Sequence, residues 1–315
     1  MGLAQGLGEL GQLCTAEQDK NNDEHDDEFG GTEVHIATVS SNHRSLHVTG
    51  HDSLVIECVV NISEGQNKAL IDQIAASAGR DLLDLHTDAH HNRSVLTLVG
   101  VDAPRRVTAK AVELLDIRSH SGVHPRIGVV DVVPFVALSG STKQDARIAR
   151  DEFCQWAGEE LAVPCFTYGD HRSLPDIRKQ AWNTLTPDCG PPNPHPSAGA
   201  IAVGERDLLV AYNLWLDTPD LALAKEIAKQ IRTSELRTLG LQVGNEVQVS
   251  MNLISPLSSG PGRAYDLVSE RASINRAELV GLVPEAVLHR EDPSRWGQLD
   301  LSVGQTIESR LLGRS

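Results

Sequence analysis

The order of apolar segments between residues 54 and 138 constrains the fold more than any other feature of the sequence. Four of these segments are short and bounded by turn residues, which is typical of strands. They are Leu54–Val60, Asp81–His86, Ser94–Val99 and Val129–Leu138. Helical patterns begin at about Gln66, where Ser63 stands at capping-box spacing, and at Pro104. The segment therefore predicts strand, helix, strand, strand, helix, strand. Because Pro134 lacks a backbone N–H, we expect the fourth strand at a sheet edge or a bulge.

The same order of elements returns in the second half of the chain. Its strand segments are Leu208–Leu216, Leu236–Val243, Glu246–Ile254 and Glu278–Val283. A helix capped by Thr218 follows the first strand, and another begins at about Arg263. The chain is therefore predicted to be an α/β (α+β) protein with two βαββαβ-type subdomains. Asn61 and Asn213, which follow or lie in the first strand of each unit, are candidates for corresponding positions.

Further elements extend the first lobe: a helix over 142–161, a strand over 163–168 and a short helix over 174–181. The proline-rich run Thr186–Gly199 comes next, and such a run is either a linker between lobes or a rigid loop that presents backbone to a ligand. We expect the first subdomain to span 54–196 and the second 197–290. The acidic, polar residues before 54 predict a disordered extension over 1–53, and 291–315 is predicted to be a C-terminal tail that packs along the surface.

The formal net charge of −15 argues against partners such as nucleic acid or an anionic membrane, since both require a basic protein surface. The sequence contains no run of about 18 apolar residues that could span a membrane. Its five cysteines form an odd set without a CxxC motif, which is typical of reduced thiols in a cytoplasmic protein. We therefore expect a cytoplasmic protein with small-molecule partners, in which an anionic ligand meets a local cluster of positive charge.

The segment SHSGVHPRIGVVDVVPF, which begins at residue 119, holds two histidines four residues apart, His120 and His124. Gly122 and Pro125 exclude a helix here, so the two histidines do not share a helical face. Proline also pushes His124 toward extended backbone, next to Arg126 and at the start of a strand. This arrangement suits an active-site base, although a surface histidine in a turn is the alternative.

Histidines are concentrated in two loops, around residues 86–91 and 120–124. A metal site needs three or four converging ligands, yet the sequence has neither HExxH nor HxH spacing, so we predict no metal. A histidine-rich, metal-dependent hydrolase is kept as an alternative from another class. Nucleotide cofactors and a serine nucleophile have no support, because GxGxxG, P-loop and GxSxG motifs are absent from the sequence.

Seven segments together resemble the glutamate formimidoyltransferase family. In chain order they are ECVVNISEG, LLDLHTDAHHNRSVLTLVG, SHSGVHPRIGVVDVVPF, PDCGP, VAYNLWL, VQVSMNL and ELVGLVP. The resemblance covers about Leu54 to Pro284, and the HPRIG segment is its most specific part. It implies two α/β subdomains with facing sheets, with tetrahydrofolate as co-substrate and glutamate between them, usually in a homodimer.

The resemblance also implies roles for particular residues. His124, the histidine before Pro-Arg, is implied as the catalytic base. The folate-binding segment of the family falls on Gly190, Pro191, Pro192, Asn193, Pro194, His195, Pro196, Ser197, Ala198 and Gly199. The chemistry is transfer of a formimidoyl group between formimidoylglutamate and N5 of tetrahydrofolate. A histidine with a pKa near ~6.5 can take a proton from the attacking nitrogen and return it to the leaving one, without a metal or a covalent enzyme intermediate.

Further residues in these segments are candidates for substrate binding. Arg93 and Arg126 are candidate forks for the substrate carboxylates, or else structural partners of Asp84, Asp88 or Asp131. The remaining candidates are the amides of Asn61, Asn92 and Asn213, which offer hydrogen bonds or merely cap turns, and His120 as a supporting or substrate-contacting residue.

Two positions depart from the family pattern. His86 stands where animal members have an acid, so Asp88 is the candidate to replace it, and Val123 stands where many members have an acid before the base. A folate-binding relative without the transfer activity, or with a different substrate, is therefore the alternative function.

Overall fold

The computed structural model describes residues 55–122 and 126–314. Residues Leu54–Ser315 form one compact unit. The predicted acidic extension, residues 1–53, lies outside the described residues. Within the described ranges, no helix is long and apolar enough to cross a membrane. The described cysteines, Cys58, Cys154, Cys165 and Cys189, are free thiols.

Within residues 55–122 and 126–314 the strands form two sheets. The first contains β1 Ile56–Ile62, β2 Leu82–Asp88, β3 Arg93–Val99, β4 Val130–Ala137, β5 Cys165–Tyr168 and β6 Ile201–Glu205, in the order β2-β3-β1-β4-β6-β5. The second contains β7 Val210–Leu216, β8 Leu236–Val243, β9 Glu246–Leu253 and β10 Ile274–Val280, in the order β10-β7-β9-β8. The helices are α1 Lys68–Ala76, α2 Asp102–Leu114, α3 Lys143–Glu160, α4 Leu174–Gln180, α5 Leu221–Ile231, α6 Pro261–Ser269, α7 Glu285–Leu288 and α8 Ile307–Leu312.

The two βαββαβ units have the same topology, which confirms the predicted fold class. In the first unit the order is β2-β3-β1-β4, and in the second it is β8-β9-β7-β10. The first strand of each unit is therefore central, flanked by the third and fourth strands. Asn61 lies in β1 and Asn213 lies in β7, so the two residues occupy topologically equivalent strands.

Helices pack on one face of each sheet through apolar side chains. Alternate residues of β1, β3 and β4 join α1, α2 and α3 in the first core, including Val60, Leu96 and Phe135. Alternate residues of β7 and β9 join α5 and α6 in the second core, including Leu214 and Val249. Because side chains alternate along a strand, the residues between them point to the opposite face, which we call the inner face of each sheet.

Two of the predicted helix caps are wrong. Asn67 caps α1 by accepting from the Leu70 N–H at 3.3 Å, whereas the Ser63 hydroxyl donates to the Gly128 carbonyl at 2.8 Å. Asp220, not Thr218, caps α5, and its carboxylate accepts from the backbone N–H three residues ahead at 3.0 Å. In both cases the polar side chain directly before the first helical residue accepts from an unpaired backbone N–H of the first turn.

The expectation of an edge position for Pro134 is also wrong, because β4 lies between β1 and β6. Pro134 pairs in parallel register with Gly204 of β6. On the other side, the antiparallel pairing with β1 is interrupted between Phe135 and Val132 and shifts register after Asn61. The missing N–H is thus accommodated by an irregular ladder within the sheet rather than by solvent at its edge.

The first sheet extends beyond the predicted subdomain boundary at 196/197. β6 is hydrogen-bonded to both β4 and β5, so the proline-rich run before it lies inside the first lobe and does not link the lobes. We propose that the division between subdomains falls between Glu205 and Val210.

The segment after residue 291, predicted to be a surface tail, contributes to the cores. Leu299 and Leu301 are buried in the second core, and Ile307 packs with Leu83 of β2. The Tyr212 hydroxyl donates to the Leu299 carbonyl at 2.8 Å in a buried position. This end of the chain therefore stabilises the two lobes instead of lying over them.

We predict that Leu299→Ala lowers the free energy of unfolding by about 2–5 kcal/mol, because it leaves a cavity at a fully buried position. Leu312→Ala is the matched control, since that side chain is 65% exposed, and it should change stability by less than about 0.5 kcal/mol. Urea denaturation of both variants measures the difference. Equal effects would contradict the placement of Leu299 in the core.

Candidate functional site

His86 and Asn61 lie in one row of paired residues that crosses the inner face of the first sheet. His86 of β2 pairs with Val95 of β3, which pairs with Asn61 of β1, which pairs with Val132 of β4. Directly paired residues point to the same face, so His86 and Asn61 share the inner face two strand spacings, about 10 Å, apart. The sheet thereby brings together two segments that lie far apart in the sequence.

Arg93 lies against this row. Its guanidinium donates a hydrogen bond to the Asn61 side-chain oxygen. Burial lowers the pKa of Arg93 to about 10, while the carboxylates of Asp131 and Asp88 oppose that shift. The guanidinium is therefore still cationic at neutral pH, in an environment with little water. Such a cation is well placed to bind a carboxylate.

Asp131 is held by groups outside this row. Its carboxylate accepts two hydrogen bonds from Arg178 of α4, at 2.5 and 3.3 Å, and one from the Ile127 N–H at 2.8 Å. Arg178 thus brings α4 against the inner face and offsets the charge of a buried acid. The sequence analysis considered other partners for Asp131 and missed Arg178.

The Asp88 side chain accepts hydrogen bonds from the turn between β2 and β3. It accepts from the backbone N–H groups of His90 and His91 and from the His91 ring, each at 2.8 Å. These hydrogen bonds, the one from the His91 ring first, hold the pKa of Asp88 well below its usual range. Asp84 lies in a different neighbourhood, 3.8 Å from Arg310 of α8, where burial raises its pKa.

Asn92 joins three loops. It has a left-handed backbone, with φ at 50°, and its side-chain oxygen accepts from the Gly65 N–H at 2.8 Å. Its amide N–H donates to the Ser121 carbonyl at 2.8 Å, and its own carbonyl lies 2.9 Å from His120 Nε2. Both polar atoms of the Asn92 side chain are therefore bonded to backbone, which fits a positioning role.

The hydrogen bond between His120 Nε2 and the Asn92 carbonyl determines the tautomer of the neutral His120 ring. Because Nε2 donates to a carbonyl, the neutral ring carries its lone pair on Nδ1, which is buried and has no hydrogen-bond partner among the described residues. Burial, as the largest effect, lowers the pKa of His120. Arg126 donates to the Gly122 carbonyl at 2.5 Å. His124, with Val123, lies outside the described residues.

The loop from Gly190 to Gly199 is folded tightly between its two glycines. Both have left-handed backbones, with φ at 83° and 73°, and a Cβ at either position would collide with neighbouring backbone. Within the loop, His195 and Gly199 exchange backbone hydrogen bonds at 2.8 and 3.0 Å. The His195 Nδ1 atom also accepts from the N–H groups of Ser197 and Ala198.

This loop contacts both flanks of the segment that carries His124. On one side, the Ile117 N–H donates to the Ser197 carbonyl at 2.8 Å. On the other, the Val129 N–H donates to the Ala198 carbonyl at 2.9 Å, and Gly199 pairs with Gly128. Of the two alternatives for this run, its hydrogen bonds within the first lobe favour the loop over the linker.

The inner face of the second sheet carries a polar group of its own. Glu278 pairs directly with Asn213 across β10 and β7. One of its carboxylate oxygens accepts from the Asn213 amide at 3.0 Å and from the Trp215 indole N–H at 2.8 Å. Arg276 stacks on the Trp215 ring at 4.0 Å. The sequence predictions include Asn213 but not Glu278, because Asn275 and Arg276 in the same strand make Glu278 resemble a solvated residue.

The two inner faces meet at their edges. The second oxygen of Glu278 lies 3.6 Å from His86 Nε2, and the Gly244 N–H, in the turn between β8 and β9, lies 3.3 Å from His90 Nε2. The structure therefore brings Asn61, Arg93 and His86 toward Glu278 and Asn213. Among the described residues, no group of three His, Cys, Asp or Glu side chains is arranged to hold a metal ion.

Two like-folded sheets with amide, guanidinium and carboxylate groups on their inner faces define the class of the chain, a two-lobed α/β protein. A family model described as the formiminotransferase domain, N-terminal subdomain, matches residues 55–206. Glutamate formimidoyltransferase of Streptococcus pyogenes serotype M1 is 35% identical over 270 residues, covering 74% of this chain and 90% of that protein.

Two further relatives agree. Glutamate formimidoyltransferase of Thermoplasma acidophilum is 35% identical over 276 residues, covering 74% of this chain and 89% of that protein. Formimidoyltransferase-cyclodeaminase of Gallus gallus is 34% identical over 275 residues, which are 74% of this chain and 51% of that longer protein. The chain belongs to the glutamate formimidoyltransferase family.

We predict that Gly199→Ala destabilises the protein more than Gly244→Ala does. Both glycines have left-handed backbones, but a Cβ at Gly199 would lie 2.3 Å from the Ile127 carbonyl oxygen, whereas nothing lies within 4 Å of one at Gly244. We expect Gly244→Ala, the control, to lower the free energy of unfolding by about 1 kcal/mol through backbone strain. The collision in Gly199→Ala should lower it by about 1–3 kcal/mol more. Thermal denaturation compares the two, and equal losses would contradict the packing of this loop.

Proposed function

We propose that the protein transfers a formimidoyl group between N-formimidoyl-L-glutamate and N5 of tetrahydrofolate. The observation that supports the proposal best is that the loop 190–199, the implied folate-binding segment, is hydrogen-bonded to Ile117 and Val129, which flank the implied base in the sequence. Family membership supports the same reaction, since two of the relatives are named for it.

The reaction needs one proton carrier. The lone pair of N5 attacks the formimidoyl carbon, and a tetrahedral intermediate forms in which that carbon carries three nitrogens: N5, the former imino nitrogen and the glutamate nitrogen. We propose that His124 takes the proton released by the attacking nitrogen and returns it to the glutamate nitrogen as the bond from that nitrogen to carbon breaks. The two proton transfers balance, so the histidine ends each turnover as it began. Holding both substrates in one site supplies much of the remaining rate enhancement.

Cationic side chains suit the glutamate end of the donor. Arg93, partly buried and bonded to Asn61, and Arg126, bonded to the Gly122 carbonyl, are the proposed partners of its carboxylates. His120 and Asn92 are proposed to position the segment that contains Gly122, since they are bonded to each other and to Ser121. Asp88 supports the neighbouring turn in the same way.

Tetrahydrofolate enters this proposal as a co-substrate, with residues 190–199 as its binding segment. The homodimer and the cytoplasmic location belong to the same proposal, the first from the family resemblance and the second from the free thiols. No metal is required by the chemistry as written.

We predict that purified protein converts formimidoylglutamate and tetrahydrofolate to 5-formimidoyltetrahydrofolate, followed by absorbance and mass spectrometry. His124→Ala should lower kcat by about 10²–10⁴-fold, the usual contribution of a general acid–base group. The matched control is His289→Ala, which removes an exposed histidine of the second lobe that pairs with Glu285, and its kcat should stay within about twofold of the wild-type value.

Two outcomes would contradict the proposal. Absence of any folate-dependent product would remove the transferase function, and tight folate binding in that case would favour the non-catalytic relative. Full activity in His124→Ala would remove His124 as the base.

A further inference from the structure

We infer that Glu278 binds the positively charged formamidine of the donor and so selects a formimidoyl group over a formyl group. The inference rests on the proposed function and adds a specificity residue to it. A formamidine is a strong base that carries a positive charge at neutral pH, whereas a formamide is neutral. A carboxylate on the inner face distinguishes the two by charge.

The orientation of Glu278 is fixed by neutral donors. The Asn213 amide and the Trp215 indole both bond to one carboxylate oxygen, at 3.0 and 2.8 Å. Neither donor carries a charge, so neither of them neutralises the carboxylate. Trp215 is in turn held under the Arg276 guanidinium at 4.0 Å. The side chain is therefore positioned without being neutralised.

The second oxygen of Glu278 has room for a ligand. It points toward the first sheet, where His86 Nε2 lies 3.6 Å away, beyond hydrogen-bond distance. No hydrogen bond reaches this oxygen from the described residues, and the side chain is 28% exposed. A ligand N–H placed here would form a charge-assisted hydrogen bond in a partly buried position.

The other inner-face acids are less suited to this role. Asp88 accepts three hydrogen bonds from its own turn, and Asp131 is paired with Arg178. Asp84 faces Arg310. The Glu57 carboxyl is buried, and burial raises its pKa to about 7. Among the described acids of this face, Glu278 combines a fixed orientation with an oxygen not bonded to a protein donor.

The position of Glu278 relative to Arg93 also matches the distribution of charge in the donor, formimidoylglutamate. Asn61 lies two strands from His86 and accepts a hydrogen bond from Arg93, so a cation lies on one side of the site and Glu278 on the other. A formimidoylglutamate molecule has carboxylates at one end and the formamidinium at the other. Binding in this direction pairs each charge with its opposite.

The test compares the binding of N-formimidoyl-L-glutamate with that of neutral N-formyl-L-glutamate by calorimetry, in wild type and Glu278→Gln. Glutamine retains an oxygen for Asn213 and Trp215 but removes the charge. Wild type should prefer the cationic ligand by about 10- to 100-fold, the ratio expected for one charge-assisted hydrogen bond. The variant should lose that preference to within about threefold and raise KM for the donor, with KM for tetrahydrofolate unchanged.

Two further variants separate ligand binding from a structural role. His86→Gln removes the residue across from Glu278 but leaves the carboxylate, so it should keep the preference for the cationic ligand. Glu226→Gln, the same change at an exposed position on α5, should behave as wild type in both binding and thermal stability. If Glu278 only held the two sheets together through His86, the two inner-face variants would weaken both ligands equally, and that result would overturn the inference.

The outcomes also separate this inference from the proposed function. Turnover by wild type with an unchanged ligand preference in Glu278→Gln would reject the role of Glu278 and leave the transferase function in place. Absence of both turnover and binding of either ligand in wild type would reject both.

Discussion

The architecture of the site depends on the hydrogen bonds of the Asn92 side chain. Its oxygen holds the Gly65 N–H at the end of β1, and its nitrogen holds the Ser121 carbonyl in the segment that leads to His124. Gly65 is so close to this turn that a Cβ there would lie 2.2 Å from the Asp88 carbonyl oxygen. The three loops at this end of the sheet are thus fixed to each other before any ligand binds, which reduces the ordering that binding requires.

A second principle is the separation of charge across the two inner faces. In the first lobe, Arg93 is partly buried and bonded to the neutral amide of Asn61, and in the second, Glu278 is partly buried and held by two neutral donors. The amide and indole groups that orient these charges are uncharged. A partly buried charge interacts more strongly with an opposite charge on a ligand than a fully exposed one does, because less water competes. Asn61 and Asn213 lie in topologically equivalent strands, so the central strand of each βαββαβ unit carries an orienting amide.

The sequence predicted the fold well because local apolar periodicity determines strands and helices. It failed where the answer depended on tertiary partners. The central position of Pro134 depends on pairing with β6, which follows the proline-rich run, and the burial of Leu299 depends on Tyr212, 87 residues earlier. Among the candidate site residues, Asn61, Arg93 and the loop 190–199 could be predicted from the sequence, because their residue types are distinctive. Arg178 and Glu278 could not, because a charged residue on a helix or strand resembles a solvated one until its partner is known.

The central claim is that both substrates bind between the inner faces of the two sheets. A crystal structure of the protein with 5-formyltetrahydrofolate and N-formyl-L-glutamate tests it most directly. The account predicts the pterin against the 195–199 loop and the glutamate carboxylates near Arg93, with the formyl group directed toward Glu278. Ligands bound on the helix-covered faces, or on one lobe away from Asn61 and Asn213, would contradict it.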